Sequence, residues 1–504
     1  MSITAIDRLL AEQADLTAVE QFSYAHDCRL PNSRESHYRN LIPLNKPAHG
    51  EQYAFEVDLD KCTGCKACVS ACHSLNGLQD EEMWREVGLL VGGHSRAPRQ
   101  QTVTSACHHC ADPGCLEGCP VLAYEKDADT GVVRHLDDQC IGCQYCILKC
   151  PYEVPKYSKK MGIVRKCDLC HSRLAVGEAP ACVQACPTSA ISIRLIKTDE
   201  IRERAANELF LPDSPDPRIT NPGTVYISAK PLSERAIAAD HHTPEIQHTH
   251  WPLVFMLVLT QAGVGFLTGN LGAKAHPFSA VIGAILIQLG LGASVLHLGQ
   301  PFKAWRAFLG WRTSWLSREI IVLGALGALS LAAAASGYLD YFPSLKSLQP
   351  LLQPKLIVAA VTVGWLGVLC SGWVYHDTHR AVWNGFLSFG RFFLTTGLFA
   401  ALVAGVTGVF LGLAGAKLLF EFLLMCRGSG KTTHLNDIDR SARLLRGPLK
   451  ALVFARFAAG GLAVILCANS QITSGMLVLL VAELLERALF FKAGVAQKMP
   501  GQAS

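Results

Sequence analysis

Cys140-Ile-Gly-Cys143-Gln-Tyr-Cys146-Ile-Leu-Lys-Cys150-Pro151 is the stretch that decides how the polar half of this chain folds. Closely spaced thiolates on one loop can hold three corners of an iron–sulfur cube, while the cysteine before the proline points away and ligates a different cube. The run recurs with variations. Cys62-x2-Cys65-x2-Cys68-x3-Cys72 and Cys107-x2-Cys110-x4-Cys115-x3-Cys119-Pro120 lie upstream, and Cys167-x2-Cys170-x11-Cys182-x3-Cys186-Pro187 lies downstream. Sixteen cysteines at four per cluster predict four [4Fe–4S] clusters. Exchange of the fourth cysteine between quartets predicts two modules, one nested in the other. In the outer module, Cys62, Cys65 and Cys68 take Cys186, while Cys167, Cys170 and Cys182 take Cys72. In the inner module, Cys107, Cys110 and Cys115 take Cys150, while Cys140, Cys143 and Cys146 take Cys119. Structural zinc also uses Cys-x2-Cys pairs, but needs neither the closely spaced triplet nor the trailing Cys-Pro.

Short apolar runs at Ala54–Leu59, Thr102–Ser105, Val132–His135 and Ala190–Ile196 read as strands beside the quartets, which gives an α+β, ferredoxin-like layout. Gly64 and Gly142 lie inside cluster loops, where the backbone must approach the inorganic core. Lys61, Lys66, Lys149, Arg165 and Lys166 flank the ligands, and positive charge there favours a reduced cluster. Residues 1–53 read as an N-terminal docking segment, with an amphipathic helix over 3–22 and a capping box at Thr17-Ala-Val-Glu20. The cluster domain occupies 54–197. Residues 198–250 read as a linker arm whose prolines oppose a long helix. His241, His242, His248 and His250 lie in this arm without a cysteine or carboxylate to complete a metal site, as an interfacial linker allows.

Half of the 504 residues are apolar, and they are concentrated after residue 250. Apolar runs of about 20 residues cross a bilayer. Eight are expected, at 252–273, 278–299, 317–338, 356–376, 388–407, 408–427, 450–469 and 473–492, within an all-α membrane domain over 251–493 and before a tail at 494–504. No polar loop marks the break near residue 407. Trp251, Trp305, Trp311, Trp315 and Trp383 fall near span ends, as interfacial aromatics do. Eight spans place the cluster domain and the C-terminus on one side. Loops on that side carry Lys303, Arg306, Arg312, Arg380 and the basic residues from Arg427 to Lys450, whereas the opposite loops carry Lys274, Lys346 and Lys355. The positive-inside rule then puts the clusters on the cytoplasmic face of the inner membrane. The first residues lack a basic start and apolar core, so no export signal is expected. A net charge of +5 makes no case for nucleic acid.

Ionisable residues in a span mark function or a pair. Lys417 with Glu421, and Glu483 with Arg487, have the spacing of ion pairs along one helix. His297 and Glu319 end and begin successive spans on the cluster side. Quinol oxidation releases two electrons and two protons together, and histidine and glutamate can accept the protons beside a cluster. Haem is not expected, because the span histidines His297 and His376 sit at ends rather than at mid-depth. Gly428-Ser-Gly-Lys431-Thr432 lacks the first glycine of a phosphate loop and reads as an ordinary loop.

The quartets, with His108-His109-Cys110, Cys150-Pro-Tyr-Glu-Val-Pro155 and Lys166-Cys167-Asp-Leu-Cys170, resemble the iron–sulfur subunit of membrane-bound molybdopterin oxidoreductases of the dimethyl sulfoxide reductase type. His250-Trp-Pro-Leu253, Gln261, Leu296-His297-Leu298-Gly299, Leu316-Ser317-Arg318-Glu319-Ile320 and Glu483-Leu-Leu-Glu486-Arg487 resemble that family's anchor subunit, so the chain looks like a natural fusion. The resemblance implies a separate catalytic subunit carrying molybdopterin. It also implies a site for menaquinone or ubiquinone at His297, with Arg318 and Glu319 beside it, and no haem. Cys143 stands where the nitrate reductase branch has tryptophan, so four full cubes are implied. Outward-facing dimethyl sulfoxide reductases and cytoplasmic-facing membrane sulfite dehydrogenases both fit, with a polysulfide reductase or membrane-linked hydrogenase complex as the alternative.

Overall fold

The computed structural model describes residues 19–20, 23–24, 38–94, 97–230, 232–233, 236–271, 277–344, 346–427, 436–496 and 498–501. The expected helix over 3–22, apart from a few residues, and the loop at Gly428–Lys431 lie outside them.

The polar half begins with β1 (Glu51–Asp58), α1 (Ala67–Leu75) and the hairpin β2 (Glu86–His94)–β3 (Ala97–Ser105). The inner quartets follow on α2 (Gly114–Glu117), β4 (Tyr124–Lys126), β5 (Val133–His135), α3 (Tyr145–Lys149), β6 (Lys156–Ser158) and β7 (Ile163–Arg165). Then come α4 (His171–Ala175), α5 (Ala181–Gln184), β8 (Ile191–Lys197), α6 (Thr198–Ala206), β9 (Val225–Ile227) and β10 (Ile237–Ala238). The outer module closes where β8 pairs antiparallel with β1. The cores form around the cysteines themselves. Cys68, Cys72, Cys167, Cys182 and Cys186 pack with Phe55, Trp84 and Ile191. Cys115, Cys119, Cys140 and Cys146 pack with Val121, Ile141 and Val164.

Residues 198–250 are more than a linker. β9 adds in parallel to β1, and β10 pairs with β2. Prolines exclude a long helix but not short strands, and β9 takes the edge of its sheet.

The apolar half is a bundle of α7 (Trp251–Gly269), α8 (Pro277–Val295), α9 (Trp315–Ser336), α10 (Gln349–His376), α11 (Gly385–Val403), α12 (Thr407–Cys426), the short polar α13 (Asp437–Arg446), α14 (Lys450–Ala468) and α15 (Ile472–Lys492). The chain is thus a multi-pass membrane protein. Among the described residues, seven helices are long and apolar enough to cross a bilayer. α15 matches them in length, but Glu483, Glu486 and Arg487 interrupt its apolar run. After α15 the chain returns to the cluster domain. The Leu89 N–H donates to the Gly501 carbonyl at 3.1 Å, and Lys498 pairs with Asp240 at 2.9 Å. The break near 407 separates α11 from α12. Trp251, Trp305 and Trp311 are exposed as interfacial rings should be. Trp383 instead is buried, stacked on Phe490 and donating to its carbonyl at 3.1 Å.

The span charges also differ from the reading along single helices. Lys417 of α12 pairs with Glu483 of α15, Arg456 of α14 pairs with Glu421 at 2.9 Å and Glu483 at 3.1 Å, and Arg487 pairs with Glu486 at 3.4 Å. The pairs of Lys417 and Arg456 run between helices, and Lys417, Arg456, Glu483, Glu486 and Arg487 are buried inside the bundle, away from lipid.

Candidate electron-transfer centres and quinone cavity

The cysteine loops are built alike. Gly64 and Lys66 bracket Cys65 with φ of +73° and +63°, and Gly142 and Gln144 bracket Cys143 with φ of +70° and +60°. Successive N–H groups turned this way form a concavity suited to anionic sulfur. Cys119 and Cys186 each accept the backbone N–H four residues on, from Ala123 and Ala190, both at 3.2 Å. Cys140 and Cys167 accept the N–H two residues on, from Gly142 at 3.3 Å and Leu169 at 3.5 Å. Such donors stabilise sulfur in its thiolate form.

All sixteen quartet cysteines are free thiols. Cys150 lies among Cys107, Cys110 and Cys115, and Cys119 among Cys140, Cys143 and Cys146. Cys72 lies with Cys167, Cys170 and Cys182, and Cys68 lies beside Cys186. Among the described residues, no three His, Cys, Asp or Glu side chains draw close enough to hold one metal ion. Zinc would bring its sulfurs within about 2.3 Å of a single centre. Four thiols per set and no other donor are what a [4Fe–4S] cluster would take as ligands.

Two buried cations tie the sets together. Lys166 donates to Cys107 Sγ at 3.5 Å and to the Cys167 carbonyl at 2.8 Å, bridging the modules. Arg85 was not evident from sequence. Only 2% exposed, it donates to Thr104 Oγ1 at 3.1 Å and leaves Nε and Nη2 without a protein partner. Burial opposes its charge, but the thiols of Cys182, Cys68, Cys167 and Cys72 raise its pKa above the ordinary arginine value.

The inner module sits directly on the membrane domain. The Gln300 N–H donates to the Ile141 carbonyl at 3.0 Å, Ser314 Oγ to the Gly118 carbonyl at 2.8 Å and Tyr145 Oη to the Val374 carbonyl at 2.9 Å, while Lys149 pairs with Asp377 at 2.9 Å. A Cβ on either Gly142 or Gly299 would overlap the Gly162 carbonyl, so glycine lets the cluster loop touch the loop after α8.

Beneath this contact lies a cavity of about 270 Å³, lined by His297 and Glu319 together with Cys143, Tyr145, Tyr375 and apolar side chains of α7, α8 and α9. The His297 Nδ1–H donates to the Ser294 carbonyl, which fixes the tautomer and leaves Nε2 as the acceptor. Glu319 is 3% exposed and accepts from Ser371 Oγ at 2.5 Å. Ile320 lines the cavity and is also exposed at the surface of the bundle. Arg318 is not part of this site. It donates to the carbonyls of Trp311 at 3.0 Å and Arg312 at 2.6 Å and lies over the Trp315 ring.

Comparison with known proteins gives three family matches. A 4Fe-4S binding domain matches residues 53–74, a 4Fe-4S dicluster domain matches 99–195, and the DMSO reductase anchor subunit (DmsC) matches 246–423. The B subunit of the anaerobic dimethyl sulfoxide reductase of Haemophilus influenzae is 36% identical over 184 residues, covering 35% of this chain and 88% of the relative. Its Escherichia coli counterpart is 36% identical over 182 residues, covering 34% and 87%. The formate dehydrogenase-O iron-sulfur subunit of Escherichia coli is 35% identical over 158 residues, covering 28% and 52%.

Proposed function

The chain belongs to the family of the anaerobic dimethyl sulfoxide reductase iron–sulfur subunit, continuous here with an anchor-subunit domain, and on that footing we propose that it links a membrane quinone to a separate molybdopterin catalytic subunit. It is an electron-transfer and membrane-anchor subunit of a dimethyl sulfoxide reductase-type complex. Four [4Fe–4S] clusters, when bound, supply one-electron carriers. Cys62, Cys65, Cys68 and Cys186 hold the outermost, and the exposure of Cys65 supports that end as the docking face for the catalytic subunit. The set of Cys167, Cys170, Cys182 and Cys72 comes next, then Cys107, Cys110, Cys115 and Cys150. Cys140, Cys143, Cys146 and Cys119 end the row at the membrane. The neighbouring thiols of Cys68 and Cys182, and of Cys167 and Cys107, support this order.

The observation that carries the reading is that Cys143 lines the same cavity as His297 and Glu319. A menaquinol or ubiquinol headgroup there has a thiolate ligand on one side and proton acceptors on the other. His297 Nε2 accepts one quinol hydroxyl, and the Glu319 carboxyl, held by Ser371, takes the other end of the ring. The cationic loops at Lys303–Arg312, Arg380 and Arg427–Lys450 support a cytoplasmic cluster face.

Replacing His297 with alanine in the whole complex should slow electron exchange with quinol by about 100-fold or more, the range of a lost acid–base group. The chain should still contain sixteen irons, and its reduced-cluster spectra should persist. Normal quinol-coupled turnover in that variant would overturn the site.

A further inference from the structure

The wall of the quinone cavity toward the inner module is Ile141, Cys143, Tyr145 and Leu148, and most of the remaining lining is apolar, with His297 and Glu319 as its ionisable groups. The Glu319 carboxyl is turned to Ser371 inside the bundle. His297 lines the cavity, and its charge is felt at the start of α7. The residue preceding α7 is His250, three positions before Leu253 of the cavity wall. His250 is half-buried, and the groups facing it are His248 of the arm, His297 of the loop after α8, Arg380 of the loop after α10 and the Phe491 ring of α15. Its ring centroid lies 5.0 Å from that of His248, which is exposed to water. Between them, Thr249 buries a hydroxyl that has no protein partner. The arm is fixed here by the Gln247 N–H, which donates to the Lys492 carbonyl at 3.1 Å.

We propose that His250 and His248 form a proton relay between His297 and the water on the cluster side, so that the histidine-rich arm completes the quinone site. This rests on the quinone reading of the cavity. Oxidation of one quinol breaks two O–H bonds and releases two electrons and two protons. The electrons would leave one at a time toward the [4Fe–4S] cluster that Cys140, Cys143, Cys146 and Cys119 would hold, a one-electron carrier that would hand the first on along the row before taking the second. The protons pass from His297 Nε2 to His250, then to His248 and bulk water. Quinone reduction uses the same groups in reverse. Burial, followed by the charges of His248, His297 and Arg380, lowers the His250 pKa to about 4. Such an imidazole is neutral at rest and passes a proton on rather than keeping it, as a relay requires.

The test uses the intact complex with His250→Gln, His248→Ala and the double variant, measuring quinol-driven turnover and binding of a hydroxyquinoline N-oxide quinol analogue. His250→Gln should lower turnover by about tenfold or more and raise the solvent deuterium isotope effect. Analogue affinity should stay within about twofold of wild type, cluster spectra should be unchanged, and added imidazole should restore turnover. His248→Ala, at an exposed position that cannot unfold the site, should give a smaller loss with the same rescue. Full turnover in the double variant would overturn the relay. So would a loss accompanied by weakened analogue binding and no imidazole rescue, which marks a structural role. Failure of the wild-type complex to bind the analogue would instead remove the quinone reading, and the relay with it.

Discussion

Replacing Glu483 with glutamine should destabilise the membrane domain more than any conservative change at its surface. Glu483 is fully buried and receives Lys417, Arg456 at 3.1 Å and the Thr395 hydroxyl at 2.6 Å. Around it, the carboxylates Glu421, Glu483 and Glu486 face the cations Lys417, Arg456, Arg391 and Arg487. The substitution leaves two carboxylates for four cations. Arg456 keeps both Glu421 oxygens, at 2.9 and 3.0 Å, so the loss falls on Lys417, whose next carboxylate is Glu486 at 3.9 Å. Removing one partner of a buried pair costs about 3–5 kcal/mol. Replacing both members by uncharged residues is often close to neutral, so Lys417→Met combined with Glu483→Gln should recover at least about 2 kcal/mol of that cost. Titration of the detergent-purified chain with a denaturing detergent, followed by tryptophan fluorescence, measures all three variants. A cost below about 1 kcal/mol for Glu483→Gln, or strictly additive single effects, would refute the reasoning.

Arg85→Met removes the cation among the four outer-module thiols and should lower the reduction potentials of the two nearest clusters. An interaction of about 1.4 kcal/mol corresponds to about 59 mV for one electron. Redox titration followed by electron paramagnetic resonance measures the shift, and unchanged potentials would remove Arg85 from a tuning role. A reporter fused after Ser504 should be active only in the cytoplasm, and activity only outside would reverse the assigned orientation.

The cysteines were legible because cluster geometry constrains spacing along the chain, and the flanking strands were legible because alternation is local. β1, β3, β5 and β8 overlap the stretches read as strands. Arg85 gave no local signal. Its burial is set by cysteines far away in sequence, and one arginine in a polar stretch ordinarily reads as solvated. His297 and Glu319 meet in one cavity although one lies in the loop after α8 and the other on α9, and the chemistry of quinol pointed to both. Arg318 shows where a motif misleads. Its guanidinium is turned to the Trp311 and Arg312 carbonyls and the Trp315 ring, while Glu319 and Ile320 line the cavity. The ion pairs misled for a related reason. A spacing of four residues reports on one helix, whereas in lipid the strongest partner is on the helix across the bundle.

The return of residues 498–501 to β2 has a consequence for biogenesis. β2 emerges before any membrane helix is made, yet the segment that covers its edge beside β10 follows the last one. During synthesis the iron–sulfur domain therefore waits with an open flank until the whole bundle has threaded into the bilayer. Insertion and closure of the metal-bearing part become successive stages of one assembly, and a chain stalled partway through the membrane remains unsealed and recognisable as unfinished.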